Sequence, residues 1–474
     1  MLTKSNLPLL LSLLLSLFSL SLSKSLQYNS FIPAGLSSTP THSQALDDSL
    51  SLDQTEDTNI ETNTLSLQLH HLDSLSKPNA STPSELFTLR LQRDASRVKS
   101  ISSLVARKSN LTAGDFTSSV VSGLAYGSGE YFTRLGVGTP PKYSYMVLDT
   151  GSDLVWLQCK PCLKCYSQSD PVFDPTQSTS FVGIGCGSPL CKKLDARGCS
   201  KKKKCLYQVQ YGDGSFTVGR FATETLSFRK GNKVNNIAVG CGQDNEGLFV
   251  GAAGLLGLGR GELSFPSQAG PKFGSKFSYC LNDRSASSKP SSIVFGESAI
   301  SKTAVFTPLK TNPKFDTFYY IDLVGISVGG ERLRAVLPSL FKTDVSGNGG
   351  VILDSGTSVT RLTRPAYTAL RDAFRAGATH LKTAPNFSLF DTCFDLSGQS
   401  EVKVPTVVMH FTGADVSFPA SNYLIPVDSS GTFCFAFAGT NNGLSIIGNI
   451  QQQGIRVIYD LAGSRIGFAP RGCA

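Results

Sequence analysis

A chain of 474 residues exceeds one small core and fits two domains with processed ends. Apolar residues at 40% and charged residues at 17% fit an ordered globular protein rather than a disordered one. The formal charge of +9 raises the question of nucleic acid, but the densest basic run, Lys201 to Lys204, lies between cysteines and has no aromatic platform interleaved with it. That run reads as a solvated loop, and no nucleic-acid partner is expected.

In chain order, Lys4 precedes a serine-broken apolar run from Leu7 to Leu22, short for a membrane span and typical of a signal peptide over residues 1–24, with cleavage near Ser23 or Ser25. No later stretch is long and apolar enough to cross a bilayer, and the C-terminus lacks the hydrophobic tail of a lipid-anchor signal, so no membrane anchor is expected. Residues 25–122 are rich in Ser, Leu, Thr and charge and contain no cysteine. They read as a propeptide with one helix around Ser84 to Val105, where Leu86, Leu89, Arg90, Arg93, Arg97 and Lys99 give a basic amphipathic pattern. Its arginines are expected to cover an acidic site until processing. The run Gly-Leu-Ala-Tyr-Gly-Ser-Gly at 123–129 marks the boundary.

From Glu130 onward the pattern is β: short alternating or apolar runs separated by Gly, Pro, Asn and Ser turns. Strands are predicted at Tyr131 to Val137, Tyr145 to Leu148, Cys205 to Tyr211, Thr317 to Val328, Val404 to Phe411 and Arg456 to Phe468, with one clear helix at Arg364 to Phe374. All twelve cysteines fall at or after Cys159, and export makes disulfides their expected fate. Cys159, Cys162 and Cys165 have metal-like spacing without a suitable fourth thiolate nearby, so no metal is expected there. Sequons at Asn79, Asn110 and Asn386 are glycosylation candidates on a secretory route.

A faint duplication carries the most information. Met146-Val147-Leu148-Asp149-Thr150-Gly151-Ser152 recurs as Val351-Ile352-Leu353-Asp354-Ser355-Gly356-Thr357, and each copy is followed downstream by an apolar-apolar-Gly step, Leu255-Leu256-Gly257 and Ile446-Ile447-Gly448. Two related lobes, each presenting one Asp at the end of a buried strand, would bring Asp149 and Asp354 to a shared cleft. Gly151 and Gly356 permit close backbone approach, and Thr150, Ser152, Ser355 and Thr357 can donate hydrogen bonds to the carboxylates. Two carboxylates brought together cannot both ionise cheaply, so one keeps a proton while the other activates water. No cofactor and no covalent intermediate are required.

These residues resemble the two signature motifs of pepsin-like aspartic proteases. Tyr211-Gly212-Asp213-Gly214-Ser215 is similar to the flap hairpin of that family, with Tyr211 as the flap tyrosine, and Trp156 stands where the family keeps a Trp that pairs with it. The cysteine-rich insert at 159–205 and Asn449-Ile450-Gln451-Gln452-Gln453 resemble the plant nepenthesin-like branch; the residues after Leu353 leave no room for the saposin-like insert of typical plant members. The resemblance implies an all-β, bilobal fold with minor helix, two β-barrel-like lobes at 123–310 and 311–474, and an active site in the cleft between them. It implies a secreted endopeptidase acting on polypeptide substrates at acidic pH, a monomer, placed in the extracellular space or apoplast, with the vacuole as an alternative. It also implies the pairs Cys159–Cys162, Cys165–Cys241, Cys186–Cys205, Cys191–Cys199, Cys280–Cys473 and Cys393–Cys434.

Two rivals stand beside this reading. Gly325-Ile326-Ser327-Val328-Gly329 matches a serine-hydrolase elbow but sits in an alternating β run, with only His380 and His410 available as partners downstream of the propeptide. No His-Glu-x-x-His motif occurs. The other rival is a relative of the same fold that binds or inhibits other enzymes without catalysis.

Overall fold

The structure, a computed structural model, describes residues 26–33, 64–74, 82–106, 131–211, 215–228, 231–247, 249, 251–281, 291–470 and 472–473. The signal-peptide run, the sequons at Asn79 and Asn110, the boundary at 123–129 and the flap residues Gly212, Asp213 and Gly214 lie outside them. Asn386 is described and exposed.

The fold is all-β with minor helix. The duplicated motifs form duplicated topology. Lys142–Asp149 lies parallel to Gly254–Gly257, with Leu255 opposite Val147 and Gly257 opposite Asp149. Val351–Leu353 lies parallel to Ser445–Ile447 in the same way, with Leu353 opposite Ile447. In both lobes the apolar-Gly strand also pairs antiparallel with a strand following the aspartate motif, Val155–Gln158 in one and Thr360–Thr363 in the other. That crossing is tight: a Cβ on Gly257 would sit 2.3 Å from the Asp153 carbonyl oxygen, and one on Gly448 2.5 Å from that of Ser358. Glycine at these two positions is a packing requirement.

A six-stranded antiparallel sheet underlies both lobes. Its order runs from Val305–Lys310 through Arg465–Pro470, Ile455–Asp460, Lys276–Cys280 and Ser291–Phe295 to Leu65–His71. Phe277 and Tyr459 stack in its centre at 4.4 Å between ring centroids. The predicted run Arg456 to Phe468 is a hairpin, broken at Leu461–Ser464, where Ser464 adopts φ 49.

The last strand of that sheet comes from the N-terminal segment, where sequence gave only a helix. In Leu65–His71, Leu65, Leu67 and Leu69 are buried and alternate with exposed Ser66 and Gln68. A second strand, Tyr28–Phe31, pairs with Val402–Pro405 of the C-terminal lobe and buries Phe31 against Phe433. The helix spans Pro83–Ala106. It opens on a capping box: the Thr82 hydroxyl accepts from the Glu85 amide, and the Glu85 carboxylate accepts from the Thr82 amide, with Pro83 in the first turn. Its buried face is Phe87, Leu91, Asp94, Arg97 and Ile101 rather than the predicted Leu86 and Leu89, which are half-buried.

The disulfides correct four of the six expected pairs. Cys280–Cys473 and Cys393–Cys434 form. Cys159 joins Cys241 instead of Cys162, and Cys162 joins Cys165. The reason is strand register: Val155–Gln158 runs parallel to Lys233–Glu246 with Leu157 opposite Cys241, and the Cys159 amide donates to the Gly242 carbonyl at 2.7 Å. Cys186 joins Cys199 and Cys191 joins Cys205. Here burial sorts the thiols. Cys205 and Cys191, on a short helix at Pro189–Lys192, share the core, while Cys199 is exposed and Cys186 half-buried. Peptide mapping under non-reducing conditions should recover Cys159 linked to Cys241 and Cys191 linked to Cys205; a Cys165–Cys241 peptide would contradict this register.

Candidate active site

Each aspartate leaves the end of a buried strand, and the lobes meet so that both carboxylates enter one small space. Asp149 and Asp354 are each 1% exposed. The turn after each strand folds its own amide back: Gly151 donates to Asp149 Oδ1 at 3.0 Å and Gly356 to Asp354 Oδ1 at 3.3 Å. Thr357 Oγ1 donates to Asp354 Oδ2 at 2.6 Å. Thr150 Oγ1 donates to Asp354 Oδ1 at 3.3 Å and accepts from the Ser355 amide at 2.9 Å, joining the two motifs across the lobes. Ser152 hydrogen-bonds neither carboxylate, and among the described residues its buried Oγ has no hydrogen-bond partner.

Between the carboxylates sits Arg97 of the N-terminal helix. Its Nη2 donates to Asp149 Oδ1 at 2.5 Å and to Asp354 Oδ1 at 2.9 Å, and Nε donates to Asp354 Oδ2 at 3.1 Å. A Cβ at Gly151 would lie 2.4 Å from Arg97 Nη2, and one at Gly356 3.2 Å from the guanidinium. The glycines of both motifs leave the room the cation fills. Burial alone would raise the Asp354 carboxyl; Arg97, Thr357 and the Gly356 amide outweigh it and hold it below the ordinary aspartate range. Burial would likewise favour a neutral Arg97, but the two carboxylates push its pKa well above the usual value.

The same helix is anchored one turn earlier. Asp94 Oδ1 accepts from the amides of Ser358 and Val359 at 2.6 and 3.2 Å, and Oδ2 lies 2.6 Å from Arg361 Nη2. Arg90 and Arg93, expected over the acidic cleft, instead grip Asp73 just after the N-terminal strand, so that of the three arginines Arg97 alone reaches the aspartates. Phe87 and Leu91 fill an apolar patch with Phe390, Ile425, Val427 and Ile450, and Ile101 packs with Phe318, Ile352 and Ile446.

Residues 131–297 match the family model described as Xylanase inhibitor N-terminal, and residues 318–470 the one described as Xylanase inhibitor C-terminal. Over 417 residues the chain is 69% identical to Aspartyl protease family protein 2 of Arabidopsis thaliana, covering 86% of this chain and 85% of that protein. To aspartic proteinase nepenthesin-1 of Nepenthes gracilis it is 39% identical over 412 residues, covering 86% and 90%. The chain belongs to the plant nepenthesin-like aspartic proteases of the pepsin-like family. It is an aspartic-type endopeptidase. The crystal structure of edgp (TM-score 0.60, 22% identity, covering 72% of this chain and 91% of that one) and that of basic 7S globulin from soybean (0.56, 20%, 72% and 92%) share its fold.

Around the aspartates, the protease places Trp156 Nε1 2.7 Å from the Tyr211 hydroxyl, with Phe249 edge-on to both rings. Ser215 is buried and its carbonyl accepts from the Tyr211 amide at 2.8 Å. Residues 449–453 form a buried polar scaffold. Asn449 Nδ2 donates to the Ser355 carbonyl at 3.0 Å and Gln452 Nε2 to the Asp354 carbonyl at 3.3 Å, while Gln452 Oε1 accepts from Tyr279. Sequence reasoning missed Asp94, Arg361 and Tyr279, which carry no motif; each is recognisable only by what it touches.

Ser327 does meet a histidine: its Oγ is 2.8 Å from His410 Nε2, and His410 Nδ1 is 2.8 Å from Asp415 Oδ1. Yet Ser327 lies within Leu323–Val328, a strand paired on both edges, opposite Arg332 and Val408. An elbow needs a sharp strand-to-helix turn with free amides for an oxyanion, and a paired strand commits its amides to the ladder. The three side chains are a cross-strand polar chain.

Sequence reasoning also passed over Asp153. Its Oδ1 accepts from the Gly261 amide at 2.8 Å and its Oδ2 from Thr317 Oγ1 at 2.6 Å, tying the first motif to the start of the C-terminal lobe. Burial pushes its carboxyl up to about 6, and Asp316 and Asp195 add to the rise. Because the folded pKa is raised, Asp153 contributes stability that is full below about pH 4 and lost as pH rises through about 6. Thermal unfolding followed from pH 4 to 7 should fall over that window, and the fall should shrink in Asp153→Asn.

Proposed function

We propose that Asp149 and Asp354 are the catalytic pair of this endopeptidase, and that the described form is the inhibited precursor, with Arg97 standing where water and the scissile bond belong. The observation that carries this reading is the single guanidinium bonded to both buried carboxylates. With Arg97 present, one cation faces the pair and holds the Asp354 carboxyl below its ordinary range. Once it leaves, two adjacent buried carboxylates repel, and one takes up a proton; aspartic proteases are the standing example of this effect. The ionised member then removes a proton from water as the water attacks, while the protonated member hydrogen-bonds the scissile carbonyl and stabilises the developing oxyanion. An extended polypeptide is the substrate the cleft suits. Tyr211, held by Trp156, would place the flap over it and exclude water.

Acidic operation follows from the same charges. The pKa of Asp354 is depressed in the inhibited form, so the stabilisation from its contact with Arg97 is complete above the ordinary aspartate range and is lost as pH falls below about 4. Export through residues 1–24, an apoplastic location, glycosylation at exposed Asn386 and a monomeric state complete the proposal. Among the described residues no helix is long and apolar enough to cross a membrane.

The matched family models are described by xylanase inhibitors, so a binding protein without catalysis is the second reading. The intact aspartate pair with its hydroxyl and amide donors favours the enzyme. In acid-treated protein, cleavage of an unfolded polypeptide should be greatest at acidic pH and blocked by pepstatin. Asp149→Asn or Asp354→Asn should reduce it by about a hundred- to ten-thousandfold without loss of folding. A folded, processed protein inactive at every pH would favour the binding reading.

Arg97→Gln keeps hydrogen-bonding capacity but removes the cation that neutralises the pair. Breaking a buried ion pair from one side costs about 3–5 kcal/mol. The full-length variant should therefore shed its helix at higher pH, read as faster hydrogen exchange over 83–106 and as processing that begins nearer neutrality. Unchanged exchange from pH 7 to 3 in both proteins would refute the plug.

A further inference from the structure

Away from the cleft, the cysteine-rich insert concentrates charge in a way the protease reaction does not use. Residues 192–204 carry seven cations against the single carboxylate of Asp195, which accounts for six of the nine net positive charges of the chain. All seven are exposed. Elsewhere on the surface several lysines are neutralised: Lys164 by Glu246, Lys276 by Glu297, Lys310 by Asp322 and Lys382 by Asp395, at 2.5–2.8 Å. Within the segment, among the described residues, only Lys193 has an acidic partner, Glu262 at 3.2 Å. Arg197 and Lys204 bond to backbone carbonyls, leaving their charge uncancelled.

The fold also holds these cations together against their repulsion. Lys201 to Lys204 form the turn of a hairpin between Arg197–Cys199 and Cys205–Gln210. The Ser200 amide donates to the Lys204 carbonyl at 2.9 Å, the Lys204 amide donates to the Ser200 hydroxyl at 3.1 Å, and the Lys203 amide donates to the Ser200 carbonyl at 2.8 Å. Lys203 takes φ 57, a left-handed conformation that a side chain adopts at a cost. On either side of the turn Cys199 and Cys205 are tied by disulfides to Cys186 and Cys191. A flexible loop could spread its lysines apart in solvent; this one cannot. The result is a rigid cationic tip whose ordering cost is already met before any ligand binds.

We infer that this lysine-tipped hairpin is a docking site for a linear polyanion whose charges are carboxylates on a sugar backbone, a polyuronate. The absence of any aromatic residue from 192 to 204 removes the stacking platform that single-stranded nucleic acid needs. The adjoining helix, four residues long, is too short to read a groove. Lysine is a compact point charge without the planar fork that fixes a partner's geometry, so the turn suits anionic groups spaced along a flexible chain. The tip also stands clear of the cleft. From Cys205 the strand runs six residues before reaching the flap tyrosine, about 20 Å. Docking there would hold the protease on an acidic matrix with its cleft free.

The test is retention of the purified full-length chain on immobilised polygalacturonate, with a neutral glucan and single-stranded DNA of matched charge as comparisons. Retention should be strong at low ionic strength and lost on raising salt, because exposed charge contacts are screened. Replacing Lys201, Lys202, Lys203 and Lys204 together by Gln should weaken binding at least about tenfold, in proportion to the cations removed, and replacing all four by Arg should restore it. Replacing Lys164, Lys276, Lys310 and Lys382 by Gln, the same charge change at paired sites, should leave binding near its original strength. Cleavage of a short uncharged peptide by the processed Gln variant should be unchanged, which separates a docking loss from misfolding or a catalytic defect. Equal losses in the two Gln variants would reduce the site to net charge and overturn the inference. Tighter binding to DNA than to polygalacturonate would reassign the ligand, and no retention at low salt would also overturn it.

Discussion

Two buried carboxylates facing each other across a lobe boundary set the terms for the rest of this molecule. Burying one unpaired charge is expensive, and burying two of the same sign side by side is worse. The space between Asp149 and Asp354 must therefore hold something that balances charge. A guanidinium does so in the described form, and a shared proton with a water does so in the catalytic form proposed for it. The glycines of the two motifs make that space, and the hydroxyls of Thr150 and Thr357 fix its walls.

Holding two like charges together needs a frame that does not yield. The frame is built from repetition: in each lobe an apolar-Gly strand is inserted beside the aspartate strand and fixes where the carboxylate emerges. Behind Asp354, Asn449 and Gln452 bond the backbone of the motif, and Tyr279 and Tyr459 close the network from the shared sheet. Gln452, Tyr279 and Tyr459 bond one another in series, the kind of connected network that rigidifies a polar core rather than weakening it.

The N-terminal helix belongs to the same balance. An isolated helix of 24 residues with a basic surface has modest stability in water, and its order here comes from the face it buries. Phe87 and Leu91 provide the apolar half of that face; Asp94 and Arg97 provide the charged half, one turn apart. Asp94 reads amides and a cation on the C-terminal lobe, while Arg97 reads the carboxylates. The helix fits the cleft because its charges alternate as those of the cleft do.

By itself the sequence determined the β class, the two lobes, the aspartate pair and the helix over it, because periodicity and duplication are local signals that survive without coordinates. Trp156 and Tyr211 were legible for the same reason. The strand at Leu65–His71 was within reach of its alternating leucines, yet it lay in a segment rich in Ser, Thr and charge in which only the helix was predicted. Only the tertiary structure decided which arginine enters the site. Arg90, Arg93 and Arg97 look alike in a helical projection, and their roles separate only when Asp73 is seen to occupy two of them. It likewise decided the disulfides of the insert. Seven cysteines between 159 and 205, together with Cys241, admit many pairings, and strand register with burial selected one. Contacts between residues far apart in the chain leave no periodic trace in it, which is why the electrostatics of the cleft had to be read from the fold.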